Sequence, residues 1–117
     1  VDMYRNTDNW ILHSDVYETA TGFELFVDIP GVKREDIELE VTPLTVKLWG
    51  VRIMPCKGTT ALAIEIQTGR FQREIYLPYR VNTASVSAEL KSGVLHIKLV
   101  RQKPVKVVVP VHAEEDL

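Results

Sequence analysis

Residues 88–99 read AELKSGVLHIKL, and their punctuation decides the fold. Apolar and polar residues alternate up to Leu90, the pattern stops at Ser92 and Gly93, and it resumes at once with Leu95, Ile97 and Leu99. Two period-two runs around a short glycine-bearing break read as a β-hairpin. Val86, Ala88 and Leu90 share the core face of the first strand, and Leu95, Ile97 and Leu99 that of the second. Lys91-Ser92-Gly93 is expected to form a three-residue loop. Gly93 is its structural turn residue, because glycine takes positive φ without a steric cost. Register is then strongly specified, since a one-residue slip would turn every apolar side chain outward. Burying each such Leu or Ile is worth roughly 1.5–3 kcal/mol.

The same alternation runs outward through the chain. Phe23, Leu25, Val27 and Ile29 share a face that breaks at Pro30-Gly31. Ile37, Leu39 and Val41 alternate with Glu38 and Glu40, and Leu44, Val46 and Leu48 form a run ending at Gly50. Leu62, Ile64 and Ile66 predict a further strand, and Phe71, Ile75 and Leu77 share a face that also carries Arg73. Only VKREDIE, residues 32–38, predicts a helical turn. Many short strands with regular turn signals argue an all-β antiparallel sandwich, each sheet with one buried and one wet face.

Composition sets the bounds. The chain has 117 residues, 45% hydrophobic and 26% charged, enough for one domain with a core of its own. A net charge of −2 offers no basic footprint, so neither nucleic acid nor a membrane is an expected partner. No apolar run approaches the ~18 residues of a membrane span. Cys56 is the single cysteine and has no internal disulfide partner, which points to a reducing, cytoplasmic compartment.

No constellation for catalysis, cofactor or metal stands out. The three histidines, His13, His96 and His112, lack metal-ligand spacing, and neither a phosphate loop nor a nucleophile elbow is present. His96 alternates outward from Leu95 and Ile97 and reads as a solvated strand position. Cys56, beside Pro55, reads as a passive loop thiol, with an intermolecular disulfide as the sharper alternative. Arg73 is the exception, because its strand parity places it with Phe71 and Ile75, where a lone charge is costly. It then needs an acidic or carbonyl partner, or it is a sheet-end arginine whose head escapes to water.

The stretch GRFQREIYLPYRVNTASVSAELKSGVLHIKL, residues 69–99, resembles the signature of the small heat-shock proteins, the alpha-crystallin family. Gly69, Phe71, Arg73, Leu77, Pro78, Val81, Ala88, Leu90, Gly93, Val94 and Leu95 carry it. SDVYETATGFELFVDIPGVKREDIELEV, from Ser14, is similar to the family's opening. The resemblance implies an immunoglobulin-like β-sandwich, here residues 15–102, that dimerises and assembles further. It implies an ATP-independent holdase whose partners are unfolding client proteins and further copies of itself. It places Arg73 near a dimer interface. It also implies a groove, here lined by Leu39, Val41, Val86, Ala88 and Leu90, that a neighbour's C-terminal extension fills.

Residues 103–117 supply a candidate extension. Val107, Val109 and Val111 lie on one alternating row that fits the family's docking motif. An added strand of this kind pairs along an exposed edge while alternate side chains enter pockets. The competing reading is an ordinary terminal strand of the same sandwich. The charged end, Glu114-Glu115-Asp116, reads as a solubilising tail. Residues 1–14 would be a short or truncated N-terminal segment, where family members usually carry a long arm. Residues 51–61 sit where non-animal members place a loop that pairs with the partner near Ile11 to Val16. The alternative function is a related sandwich serving as a co-chaperone or scaffold. Such domains generally lack both the Gly-Val-Leu hairpin and the Val-x-Val tail.

Overall fold

A computed structural model of the chain describes residues 10–53, 56 and 58–114. The strands are β1 (His13–Glu18), β2 (Gly22–Asp28), β3 (Ile37–Val41), β4 (Thr45–Arg52), β5 (Gly69–Tyr76), β6 (Val81–Lys91) and β7 (Val94–Arg101). The predicted helical turn is a single 3-10 turn, Arg34–Asp36. All pairings are antiparallel, in a four-stranded sheet of order β1-β2-β7-β6 and a three-stranded sheet of order β3-β4-β5. This is the expected all-β, immunoglobulin-like sandwich.

Register explains the core. Phe23 faces Leu99, Leu25 faces Ile97 and Val27 faces Leu95, so inward residues stack in rows across the larger sheet. Leu48 and Val46 on β4 oppose Leu39 and Val41 on β3. Leu25, Val27, Ile29, Val46, Leu48 and Ile97 are fully buried between the sheets. Trp10 and Leu12, upstream of β1, also belong to the core, and Trp10 meets Phe71 edge to face at 5.3 Å.

Three expectations need correction. The hairpin that opened the reading has a two-residue loop, because Lys91 pairs with Val94 and joins the ladder. Ser92 and Gly93 both hold positive φ, 51° and 78°, the pattern of a type I′ turn, whose twist matches that of the flanking strands. Gly50 does not end β4 but lies within it, where a Cβ would sit 1.9 Å from the Asp36 carbonyl oxygen. Close approach of backbone, not a turn, requires glycine there. Finally, Leu62, Ile64 and Ile66 form no strand. Ile64 makes one isolated bridge, while Leu62 and Ile66 are 64% and 61% exposed. Alternation alone cannot make a strand without a neighbouring edge to pair with.

Candidate functional site

The two sides of the sandwich differ. On one side β5 lies over β1, since Arg73 donates from Nε to Ser14 Oγ at 3.4 Å and Phe71 meets Trp10. From the sheet orders, β3 and β6 must then share the opposite side, each as an open edge. The Val81 N–H, at the start of β6, donates to the Pro43 carbonyl in the β3–β4 turn at 2.8 Å, which ties the two edges together at one end.

The groove residues expected from the sequence therefore lie on two edge strands on the same side of the sandwich. Leu39, Val41, Val86 and Leu90 are half-buried and pack on the core, with Ile37 extending their row. Ala88 is exposed between Val86 and Leu90. A small side chain there leaves room over β6. Two edges without a strand partner among the described residues, carrying these apolar side chains, would bound a trough of the kind that accepts an added strand.

The extension does not fill this trough in its own chain. Residues 102–114 carry no strand, and Val107, Val109 and Val111 are 72%, 70% and 93% exposed. They do not act as a terminal strand of their own sandwich. Glu115 and Asp116 lie outside the described residues.

Arg73 keeps its core-face parity, opposite Leu48, yet it is exposed. β5 is the edge of its sheet, so the guanidinium reaches the rim rather than the interior. Among the described residues its polar contact is the Ser14 hydroxyl, not the acidic partner expected for a buried position. Arg73 also borders a depression of about 640 Å³ that Trp10, Ile11, Trp49 and Phe71 line. The loop between β4 and β5 stands nearby in sequence, with Ile53 62% exposed in addition to Leu62 and Ile66. Cys56 is exposed in this loop, its Sγ 3.4 Å from Thr59 Oγ1, and Pro55 lies outside the described residues.

Two features escaped the sequence reading. Arg52 closes the neck of the β4–β5 loop. Its guanidinium lies 3.7 Å over the Trp10 ring, donates to the Pro30 carbonyl at 2.9 Å, and donates from Nε to the Gln67 carbonyl at 3.0 Å. Partial burial lowers its pKa from the ordinary arginine value. His96 points outward as expected and is half-buried rather than fully solvated. It stacks on Phe26 at 4.3 Å and bonds to Glu24 Oε1 at 3.0 Å. Its partners come from β2, which no local pattern connects to β7. Among the described residues, no three His, Cys, Asp or Glu side chains are placed to share a metal ion.

Comparisons with known proteins bear on the family and the fold. The model of the Hsp20/alpha crystallin family matches residues 15–112. A 22.0 kDa heat shock protein of Arabidopsis thaliana is 39% identical over 109 residues, covering 87% of this chain and 56% of the relative. Small heat shock protein C2 of Rickettsia felis is 31% identical over 97 residues, covering 81% of this chain and 63% of the relative. The chain thus spans little more than half the length of such relatives. Among solved structures, heat shock protein 16.0 from Schizosaccharomyces pombe matches at a TM-score of 0.73 and 20% identity, covering 91% of this chain and all of the other. A small heat-shock protein from Xylella fastidiosa, described as having a distinct high order structure, matches at 0.70 and 24% identity, over 92% of this chain and all of that one. These structural likenesses concern the fold.

Proposed function

The chain belongs to the Hsp20/alpha crystallin family, and from that premise we propose that it is an ATP-independent holdase that captures unfolding proteins and suppresses their aggregation. One observation supports the reading: half-buried apolar side chains on the β3 and β6 edges coexist with an unburied extension whose valines alternate at strand spacing. Among the described residues of one copy neither surface is covered by a strand, so further copies and unfolding chains would compete for them. Assembly through the extension keeps the trough masked, and its release exposes apolar edge surface to clients. Arg73 and the β4–β5 loop, beside the free edge of β1, form the second contact region, assigned here to the dimer. The exposed Cys56 thiol suits a reducing cytoplasm.

The test is direct. A reductant- or heat-denatured client is incubated with this chain, without nucleotide, and its light scattering followed. Suppression at near-stoichiometric ratios is the expected result. Unchanged scattering would remove the holdase reading for this chain and leave a scaffold module in its place.

A further inference from the structure

We infer that the basic cluster at the root of the extension, Arg80, Arg101 and Lys103, receives the acidic end, Glu114-Glu115-Asp116, of a neighbouring copy's extension, and that this contact sets the direction in which the extension runs along the groove. The inference rests on the reading of Val107, Val109 and Val111 as the docking segment.

The cluster is built into the fold. The Arg101 guanidinium lies 4.1 Å over the Tyr79 ring, which itself stacks on Phe23 at 4.5 Å. The Gln102 N–H donates to the Arg80 carbonyl at 2.9 Å, and the Arg101 N–H to the Thr21 carbonyl at 2.8 Å, which hold the two arginines side by side. With Tyr79, Lys103 and Val105 they line a depression of about 390 Å³. Glu18, at 3.4 Å from the Tyr79 hydroxyl, is the carboxylate beside it, so cations outnumber anions there.

Its position relative to the trough matters most. Arg80 precedes Val81, whose N–H is tied to Pro43, so the cluster stands at the Val41–Val81 end. Val86 faces Leu99, and Arg101 follows Leu99 by two residues. The cluster therefore begins about 7 Å beyond Val86, at ~3.3 Å per extended residue, and continues to Lys103. The other end of the trough carries Lys33, Arg34 and Lys91 against Glu35, Asp36, Glu38 and Glu89, so it has no excess of cations. An acidic segment gains at one end only.

The extension matches this in length and charge. With Val107, Val109 and Val111 over Leu90, Ala88 and Val86, it runs antiparallel to β6. An extended chain would carry positions 114–116 about 10–17 Å beyond Val111, toward the end of the trough where Lys103 and, one strand inward of β6, Arg101 stand. The reversed direction would place Lys106, which precedes Val107, against the same cluster. Attraction for one direction and repulsion against the other together select the orientation.

The experiment measures assembly mass of the full chain by light scattering or native mass spectrometry, at about 0.05 M and 0.5 M salt, because exposed ion pairs are screened between those limits. The triple variant E114K/E115K/D116K leaves the sandwich untouched, and it should weaken assembly about 5- to 30-fold at low salt, as three exposed pairs do. Its assembly should also lose the parent's salt dependence. K103E, outside the strands, should weaken assembly alone and regain it when combined with the triple variant; R80E/R101E should behave alike if circular dichroism shows it folded. V107A/V109A is the control for docking itself. If that control dissociates the assembly while E114K/E115K/D116K does not, the acidic clamp is overturned and docking stands. A triple variant that weakens assembly without recovery in the combined chain overturns the assignment to this cluster. If V107A/V109A keeps the parent mass, the docking premise falls, and the inference with it.

Discussion

Ser92 and Gly93 turn the chain with two successive positive φ angles, and Gly93 also accepts a hydrogen bond from the Ile29 N–H at 2.7 Å. A Cβ at Gly93 would lie 3.0 Å from Pro30 Cα, so a side chain there is both strained and crowded. Gly93→Ala should destabilise the domain by about 1–3 kcal/mol, read from urea unfolding. Ser92→Asn should instead stabilise it by a few tenths of a kcal/mol, because Asn-Gly suits a type I′ turn. That a glycine was needed is legible in the sequence; the loop's length is not, since it depends on whether Lys91 pairs. The same limit holds at Arg73 and His96. Parity gives the direction in which each side chain points. Whether that direction leads to an interior, a rim or a stacked neighbour depends on which strand lies alongside, and β5 at an edge and β2 beside β7 decide the two cases differently.

At the scale of elements, the extension and the trough are a balance of small terms. Burying two valines contributes about 3–5 kcal/mol. Ordering the extension costs about 1–2 kcal/mol for each residue whose backbone is fixed. The two terms are of similar size, so the proposed docking is expected to be reversible. V107A/V109A should lower the assembly toward a dimer while the β signal in circular dichroism persists, because these valines lie outside every strand of their own sandwich. Ala88→Arg should do the same from the groove side by filling the gap between Val86 and Leu90. Parent mass in both variants would show that the extension does not hold subunits together. The loop between β4 and β5 is the contrasting element. Its Leu62-Ile64-Ile66 alternation has a strand's pattern but, among the described residues, no strand built on it beyond the single bridge at Ile64.

For the whole molecule, stability resides in the contact between the two sheets. Ile97 and Leu48 are fully buried on opposite sheets, and truncating either to alanine should cost about 2–5 kcal/mol through lost burial and a residual cavity. A cooperative shift of the unfolding midpoint by that amount, equal in near- and far-ultraviolet signals, is the expected observation. Much of this architecture is determined by the sequence alone. The period-two alternation of Phe23-Leu25-Val27 and Leu95-Ile97-Leu99, with glycine and proline between the runs, leaves a buried and a wet face on each strand and hence a sandwich. The same local rule places Leu39, Val41, Val86 and Leu90 on core faces and Val107, Val109 and Val111 on one row. Only the tertiary structure decided which strands became edges. Periodicity describes a strand's two faces, but an edge is the absence of a neighbour, and neighbours are assigned by long-range pairing. That pairing brought β3 and β6 to one side as edges, carried Arg73 out to a rim and seated His96 on Phe26. It also gathered Arg80, Arg101 and Lys103, separated in the chain by the whole of β6 and β7, into one basic cluster.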